Sequence, residues 1–146
     1  MNFSDCPGMC QKWRKGLCRR CGSELTGRRT TWCSDECGSW WFNNHWFNYA
    51  KGGVADRRKV EGSWRWTCEL CETVVVSYEI DHIERARGRH NVASCVHHQE
   101  NLRLLCKPCH RAVTAAQRRE DAERARVAMM AVSVTTQAAF DLGDAR

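Results

Sequence analysis

The chain has 146 residues, of which 42% are hydrophobic, and its 23 Lys and Arg exceed its 17 Asp and Glu by a formal charge of +6. This length suits one domain or two very small ones, and units of about 50 residues bury too little apolar surface to fold without cross-links. No stretch is long and apolar enough to span a membrane, and the polar N-terminus has no signal-peptide pattern, so we expect a cytoplasmic protein.

Eleven cysteines are the most unusual feature of the composition. Eight of them form four pairs separated by two or three intervening residues, a spacing that favours zinc knuckles over disulfides in a reducing compartment. We therefore predict a small α+β protein stabilised by two structural zinc ions. The predicted ligands of the first ion are Cys18, Cys21, Cys33 and Cys37, and those of the second are Cys68, Cys71, Cys106 and Cys109.

Composition changes along the chain suggest five segments. Residues 1–17 are predicted to form a basic arm, and residues 18–50 a four-cysteine zinc finger followed by an aromatic-rich helix. Residues 51–66 are expected to be a linker with a short helical piece, because glycines interrupt the segment. Residues 67–122 would form the second, mixed α+β domain, and residues 123–146 the end of its helix and a tail.

The aromatic-rich helix has a clear start in the sequence. Ser34 is its predicted N-cap, and Asp35 and Glu36 place negative charge in the first turn, where the helix dipole favours it. The pattern predicts a helix from about residue 35 to residue 50. Aromatic residues surround this helix too broadly for a solitary surface helix, so we expect it to pack against the second half of the chain.

The second half contains two strand patterns and one helix pattern. The segment "TVVVSYEI" is β-branched and predicts a strand, with its alternate residues on one face. A polar loop from about residue 83 to 99 leads to a shorter strand in "NLRLLC". From His110 to about residue 130 the sequence is strongly helical, with opposite charges four residues apart.

The excess of positive over negative charge is confined to the first half of the sequence. Residues 1–66 hold twelve Lys and Arg against six Asp and Glu, whereas residues 67–146 hold eleven of each. Tryptophans are interleaved with the basic residues, a composition that suits either a nucleic-acid surface or a solvated basic face.

Several cysteines and histidines have no firm assignment from sequence. Cys6 and Cys10 are either free thiols in the arm or ligands that join a metal site, and Cys95 is interpreted as a buried or idle thiol. His45 is expected to be a packed or surface residue. Three further histidines, His90, His97 and His98, are expected to be ordinary residues of the polar loop and not metal ligands. A contact with a phosphate is the alternative for His97 and His98.

A candidate catalytic centre lies between the two knuckles of the second domain. Asp81 and His82 end the first strand, His110 begins the helix, and the second zinc site would hold these two places together. A carboxylate oxygen and an imidazole suit Mg²⁺, Mn²⁺ or a similar divalent ion with positions open to substrate. Adjacent strand residues point to opposite faces, so Asp81 and His82 can share a site only where the strand ends or bulges.

The segments "CELC", "YEIDHI" and "ENLRLLCKPCHRAVT" resemble the HNH endonucleases, whose fold is the ββα-metal unit. The resemblance covers about residues 64–118. It implies that Asp81 and His110 hold the catalytic metal, that His82 is the general base, and that Asn101 fixes the loop that orients His82. This chain departs from the family in its loop, which lacks a glycine-rich run, and at Val113, where a lysine is common.

The finger at residues 18–37 resembles the treble-clef-like finger that precedes the nuclease in some HNH proteins, including phage examples. The resemblance implies an endonuclease that hydrolyses DNA phosphodiester bonds, as a nickase or a double-strand cutter, in the host cytoplasm if a phage encodes it. The alternative is a catalytically silent zinc-finger adaptor that binds nucleic acid or protein. A protein partner such as a phage packaging component is compatible with both.

Overall fold

The computed structural model describes residue 6 and residues 14–143, with side chains as far as residue 132. Cys10 and most of the predicted arm lie outside the described residues. The chain forms two compact units, Met1–Lys107 and Pro108–Arg146. Helices occur together with short antiparallel strands, so the predicted small α+β class is confirmed.

Helix α1 (Asp35–His45) begins where the sequence predicts. The Ser34 side chain accepts a 3.2 Å hydrogen bond from the backbone N–H of Cys37, which confirms Ser34 as the N-cap. The helix ends earlier than residue 50, because Trp46 is extended, with φ −113° and ψ 119°. The His45 carbonyl accepts a 2.9 Å bond from the N–H of Ser94, a contact with a distant loop that no local helix pattern encodes.

Helix α2 (Phe47–Arg57) occupies the first part of the segment predicted as a linker. Its two glycines do not interrupt it. A Cβ at Gly53 would collide with the side chain of Gln99, whereas nothing lies near a Cβ at Gly52. The absence of a side chain at Gly53 therefore lets α2 approach the loop closely.

The segment predicted as one strand is divided between two small sheets. Strand β2 (Val74–Val75) pairs antiparallel with β1 (Trp66–Thr67), and β3 (Glu79–His82) pairs antiparallel with β4 (Leu102–Leu105). The chain leaves strand geometry between β2 and β3, so the predicted common face is not maintained. Tyr78 and Ile80 pack on the core, but Val74 and Val76 are exposed.

The core of the first unit lies between α2 and β4. Ala50 and Val54 from the helix are fully buried against Leu102 and Leu104 from the strand. The expected packing of the aromatic-rich segment on the second half is thus confirmed, although most of the contact comes from α2. At the end of α2 the guanidinium of Arg57 donates 3.0 and 2.7 Å hydrogen bonds to the carbonyls of Gln99 and Leu102.

Helix α3 (Lys107–Gly143) is longer than the helix predicted to end near residue 130. It continues through most of the segment expected to be a tail. None of the helices in the described part of the chain has the length and apolar character that a bilayer crossing requires.

Candidate metal centres and catalytic site

Three clusters of cysteine and histidine in the described part of the chain can hold a metal ion. The first, which we call the N-terminal cysteine cluster, contains the four predicted ligands Cys18, Cys21, Cys33 and Cys37. Their sulfur atoms all lie within 4.8 Å of one another. Three of the sulfur pairs are 3.5, 3.6 and 4.0 Å apart. Around a tetrahedral zinc with Zn–S bonds of about 2.3 Å, sulfur atoms are separated by about 3.8 Å, so the cluster fits this ion.

The thiols of this cluster are electrostatically unequal. Burial by itself would raise the pKa of Cys18, but backbone N–H donors of Cys21 and Cys33 outweigh it and lower that pKa to about 6. The neighbouring thiols of Cys21 and Cys37 raise the pKa of Cys33 to about 12. Four crowded thiols cannot all ionise together by themselves, because their thiolates repel one another. A bound divalent cation offsets this repulsion.

The second cluster, the central cysteine cluster, comprises Cys68, Cys71 and Cys106 of the first unit. Their sulfur atoms lie within 4.8 Å of one another, and those of Cys71 and Cys106 are 3.7 Å apart. Cys109, the fourth predicted ligand, follows Cys106 by three residues in the first turn of α3. The knuckle at Cys68 is closed by a bond from the N–H of Glu72 to the Cys68 carbonyl, at 3.0 Å.

The third cluster was not predicted as a ligand set. We call it the Cys/His cluster; it consists of Cys6, His45, Cys95 and His98. All four side chains are buried, and their ligand atoms also lie within 4.8 Å of one another. The spacing Cys95-x2-His98 is a recognisable ligand pair, but Cys6 and His45 are separated from it by so many residues that only the fold identifies them.

Asp81 is buried at the end of β3 and forms an ion pair. Its Oδ2 accepts hydrogen bonds from Nε and Nη2 of Arg103, at 2.9 and 2.7 Å. The sheet register places the two residues opposite each other on β3 and β4, which brings the side chains together. The guanidinium of Arg103 therefore neutralises the carboxylate of Asp81, a predicted metal ligand.

His82 is buried next to Asp81, with its ring stacked on Phe47 at a centroid distance of 4.9 Å. Burial, with smaller contributions from the nearby His97 and His90, lowers the pKa of His82 to about 4. The imidazole is thus neutral at pH 7 and can accept a proton.

The hydrogen bonds of His97 define which nitrogen of His82 is basic. Nε2 of His97 lies 2.8 Å from the carbonyl of Arg89 and 3.1 Å from that of Val92, and a carbonyl can only accept, so this nitrogen carries the proton. Burial lowers the pKa of His97, so the ring is neutral and its Nδ1 is an acceptor. That atom is 3.0 Å from Nε2 of His82, which must donate. The lone pair of neutral His82 is therefore on Nδ1.

Asn101 is almost fully buried and joins two parts of the long loop. Its side-chain oxygen accepts a 2.8 Å bond from the N–H of Glu84, and its amide nitrogen donates to the carbonyls of Glu84 and Val96 at 3.0 and 2.8 Å. These three bonds connect the residues just after β3 with the turn that contains His97.

His110, the other predicted metal ligand, lies in α3 in the second unit, and its role stays a prediction. No protein family, characterised protein or solved structure matches this chain. The functional interpretation therefore depends on the residues and their geometry.

Proposed function

We propose that the chain is a metal-dependent endonuclease of the HNH type that hydrolyses phosphodiester bonds in DNA. The observation that carries the proposal is the imidazole of His82, which is buried, neutral, adjacent to Asp81 and oriented by His97. A histidine acts as a general base only in its neutral form, and the bond to His97 holds this ring in one orientation. The lowered pKa of His82 keeps the ring neutral but makes it a weaker base than a free imidazole. The chain order β3, β4, α3 is also that of a ββα nuclease unit.

His82 is the proposed general base. Its Nδ1 would take a proton from the attacking water, while the bond from its Nε2–H to His97 keeps the ring in one orientation. The carboxylate of Asp81 is the adjacent residue and favours the positive charge that the ring then acquires. Asn101 is the proposed positioning residue, because its three bonds fix the loop that carries His97.

Asp81 and His110 are the proposed ligands of a divalent ion such as Mg²⁺ or Mn²⁺, for which carboxylate and imidazole donors are suitable. When bound, such an ion would relieve the charge that develops on the phosphate and on the leaving 3′ oxygen. Two structural zinc ions are proposed on the N-terminal and central cysteine clusters, with Cys109 as the fourth ligand of the latter.

The test is a DNA-nicking assay on supercoiled plasmid with a panel of divalent metals and an EDTA control. We predict that His82→Ala lowers turnover by about 10²–10⁴-fold, the usual cost of losing a general base. Zinc content, circular dichroism and DNA affinity should stay unchanged. Asp81→Ala and His110→Ala should be partly rescued by higher metal concentration, whereas His82→Ala should not.

Two results would contradict the proposal in different ways. If His82→Ala cleaves at the parental rate while Asp81→Ala is inactive, a different group is the base. If the parental chain cleaves neither duplex nor single-stranded DNA with any divalent metal, the nuclease function is wrong.

The second candidate is a catalytically silent zinc-finger adaptor that binds nucleic acid or a protein. One observation favours it: Arg103 already neutralises Asp81 through two hydrogen bonds to the same oxygen. A carboxylate held in this way is a structural ion pair unless a metal displaces the guanidinium. An inactive parental chain that still binds DNA or a protein partner, such as a phage packaging component, would support the adaptor.

A further inference from the structure

The Cys/His cluster joins three parts of the chain that are far apart in sequence. Cys6 lies in the arm, His45 ends α1, and Cys95 and His98 belong to the loop between β3 and β4. The exposed fractions of these residues are 6%, 0%, 9% and 7%. Two thiols and two imidazoles rarely gather in a protein interior without a common partner, because each buried polar group needs one.

The distances between ligand atoms match a tetrahedral site. Nε2 of His45 is 3.3 Å from Nε2 of His98 and 3.0 Å from Sγ of Cys6. With Zn–N bonds of about 2.0–2.1 Å and Zn–S bonds of about 2.3 Å, the tetrahedral edges are about 3.4 Å between nitrogens and about 3.5 Å between nitrogen and sulfur. The distance between the two histidine nitrogens agrees closely with this geometry. The distance from Nε2 of His45 to Sγ of Cys6 is shorter than the tetrahedral edge by about 0.5 Å.

The surroundings of His45 orient it as a ligand. Its Nδ1 lies 2.7 Å from the carbonyl of Trp41, which can only accept, so Nδ1 carries the proton. The lone pair is then on Nε2, the atom that faces Cys6 and His98. A ligating histidine that donates its other N–H to a backbone carbonyl is the usual outer-sphere arrangement of protein zinc sites.

We propose that Cys6, His45, Cys95 and His98 bind a third zinc ion, in a closed structural site of two cysteines and two histidines. All four positions of the tetrahedron are filled by protein, so the site has no opening for substrate. The ion would tie Cys6 and the end of α1 to the loop between β3 and β4. It also anchors the backbone at His98, immediately after the residue that contacts His82.

The first experiment measures zinc in the full-length native chain by elemental analysis, with protein quantified by amino-acid analysis. We expect three zinc ions per chain. Replacement of zinc by Co²⁺ should produce two sets of d–d absorption bands from tetrahedral sites with thiolate ligands. The bands of a site with two cysteines and two histidines lie at shorter wavelength than those of four-cysteine sites. This spectrum is independent of nuclease activity, so a failure of the proposed enzyme function would leave it unchanged.

The second experiment compares two adjacent buried histidines. His98→Gln should lower the zinc content from three to two and remove the shorter-wavelength Co²⁺ component. His97→Gln is the matched control, because His97 is equally buried and lies next to His98 but is not part of the cluster. It should retain three zinc ions. If His98→Gln does not fold, the Co²⁺ spectrum of the unaltered chain decides the question.

Two zinc ions in the unaltered chain, with a Co²⁺ spectrum of four-cysteine sites only, would overturn the proposal. A disulfide between Cys6 and Cys95, detected as the loss of two hydrogens in the intact mass, would also overturn it. Retention of all three ions in His98→Gln would show that His98 is not a ligand.

Discussion

At the scale of single residues, the ion pair of Asp81 with Arg103 bears most directly on the proposed metal site. The carboxylate is buried at 8% exposure, and the guanidinium places two donors on one of its oxygens. Charge-assisted hydrogen bonds from arginine to a carboxylate are among the stronger hydrogen bonds in proteins. If Asp81 binds a metal during catalysis, the metal must compete with Arg103 for that carboxylate.

This competition leads to a prediction for Arg103→Gln. Removing the guanidinium should strengthen divalent-metal binding by about 1 kcal/mol, or roughly fivefold, since the metal no longer displaces a positive charge. Mn²⁺ titration followed by electron paramagnetic resonance measures this without requiring activity. Arg103→Lys is the control, because it keeps the charge but loses the fork geometry. Unchanged or weaker Mn²⁺ binding in Arg103→Gln would argue that Asp81 is only a structural ion-pair partner.

At the scale of elements, helix α2 contributes core residues from a segment whose glycines suggest a linker. Gly53 faces the loop at Gln99, and the Gln99 amide donates a 3.3 Å bond to the carbonyl of Asn43. Gly52 faces open space. The packing of α2 on the loop therefore favours a glycine at position 53, whereas no contact requires a glycine at position 52.

Alanine substitutions should separate these two positions. Gly52→Ala should stabilise the chain by about 0.5–1 kcal/mol, the gain in helix propensity. Gly53→Ala should lose that gain and be less stable than Gly52→Ala by about 1–2 kcal/mol, because its Cβ forces Gln99 to move. Thermal unfolding followed by circular dichroism measures both. Equal stabilisation by the two changes would mean that α2 does not approach the loop this closely.

The hairpin of residues 59–66 follows α2, is closed by a β-bridge between Lys59 and Trp66, and carries basic and aromatic residues that suit contact with the proposed DNA substrate. The side chain of Trp64 is 79% exposed, and Nζ of Lys59 lies 4.4 Å from its ring centroid. Exposed aromatic rings next to basic residues stack on unpaired bases, at about 1–3 kcal/mol per base. Trp64→Ala should therefore weaken binding to single-stranded DNA by about fivefold or more.

Fluorescence anisotropy with a labelled oligonucleotide measures this effect, with Val76→Ala as the control. Val76 is also highly exposed, at 72%, and follows β2, which pairs with the strand just after the hairpin. An equal effect of both substitutions would point to a general loss of solubility or fold instead of base stacking.

At the scale of the whole molecule, the proposed structural zinc ions would supply much of the stability of the fold. Cores of this size supply little stability, whereas structural zinc contributes about 10–16 kcal/mol in zinc-finger peptides at neutral pH. That energy is comparable to the entire stability of an ordinary domain. The central cysteine cluster also lies next to β4, since the N–H of Glu69 donates to the Leu104 carbonyl at 2.8 Å.

Cys106→Ser should therefore unfold the β3–β4 region instead of reducing activity by degrees. The expected result is a loss of the cooperative thermal transition in circular dichroism and fewer bound zinc ions than in the parent. A strong zinc chelator should have the same effect on the parent, and re-addition of Zn²⁺ should restore the transition. A folded, active Cys106→Ser protein would contradict the assignment of this residue as a zinc ligand.

The sequence by itself determined the features that depend on local spacing. The four cysteine pairs, the N-cap at Ser34 and the α+β class follow from residues a few positions apart, because ligand spacing and capping are local geometry. The presence of two strands in the second half was also predictable in outline, since "TVVVSYEI" is β-branched and "NLRLLC" is apolar. The exact strand ends were not, because Val76 and Tyr78 have the same β propensity whether or not a partner strand reaches them.

Only the tertiary structure decided the long-range contacts. The break at Trp46 follows from a loop that captures the His45 carbonyl, and the ion pair of Asp81 with Arg103 follows from sheet register. The Cys/His cluster unites residues 6, 45, 95 and 98, of which only the last two have a recognisable ligand spacing. Candidate ligands that are far apart in sequence leave no local pattern. The packing of α1 on the loop between β3 and β4 determines whether their side chains come together.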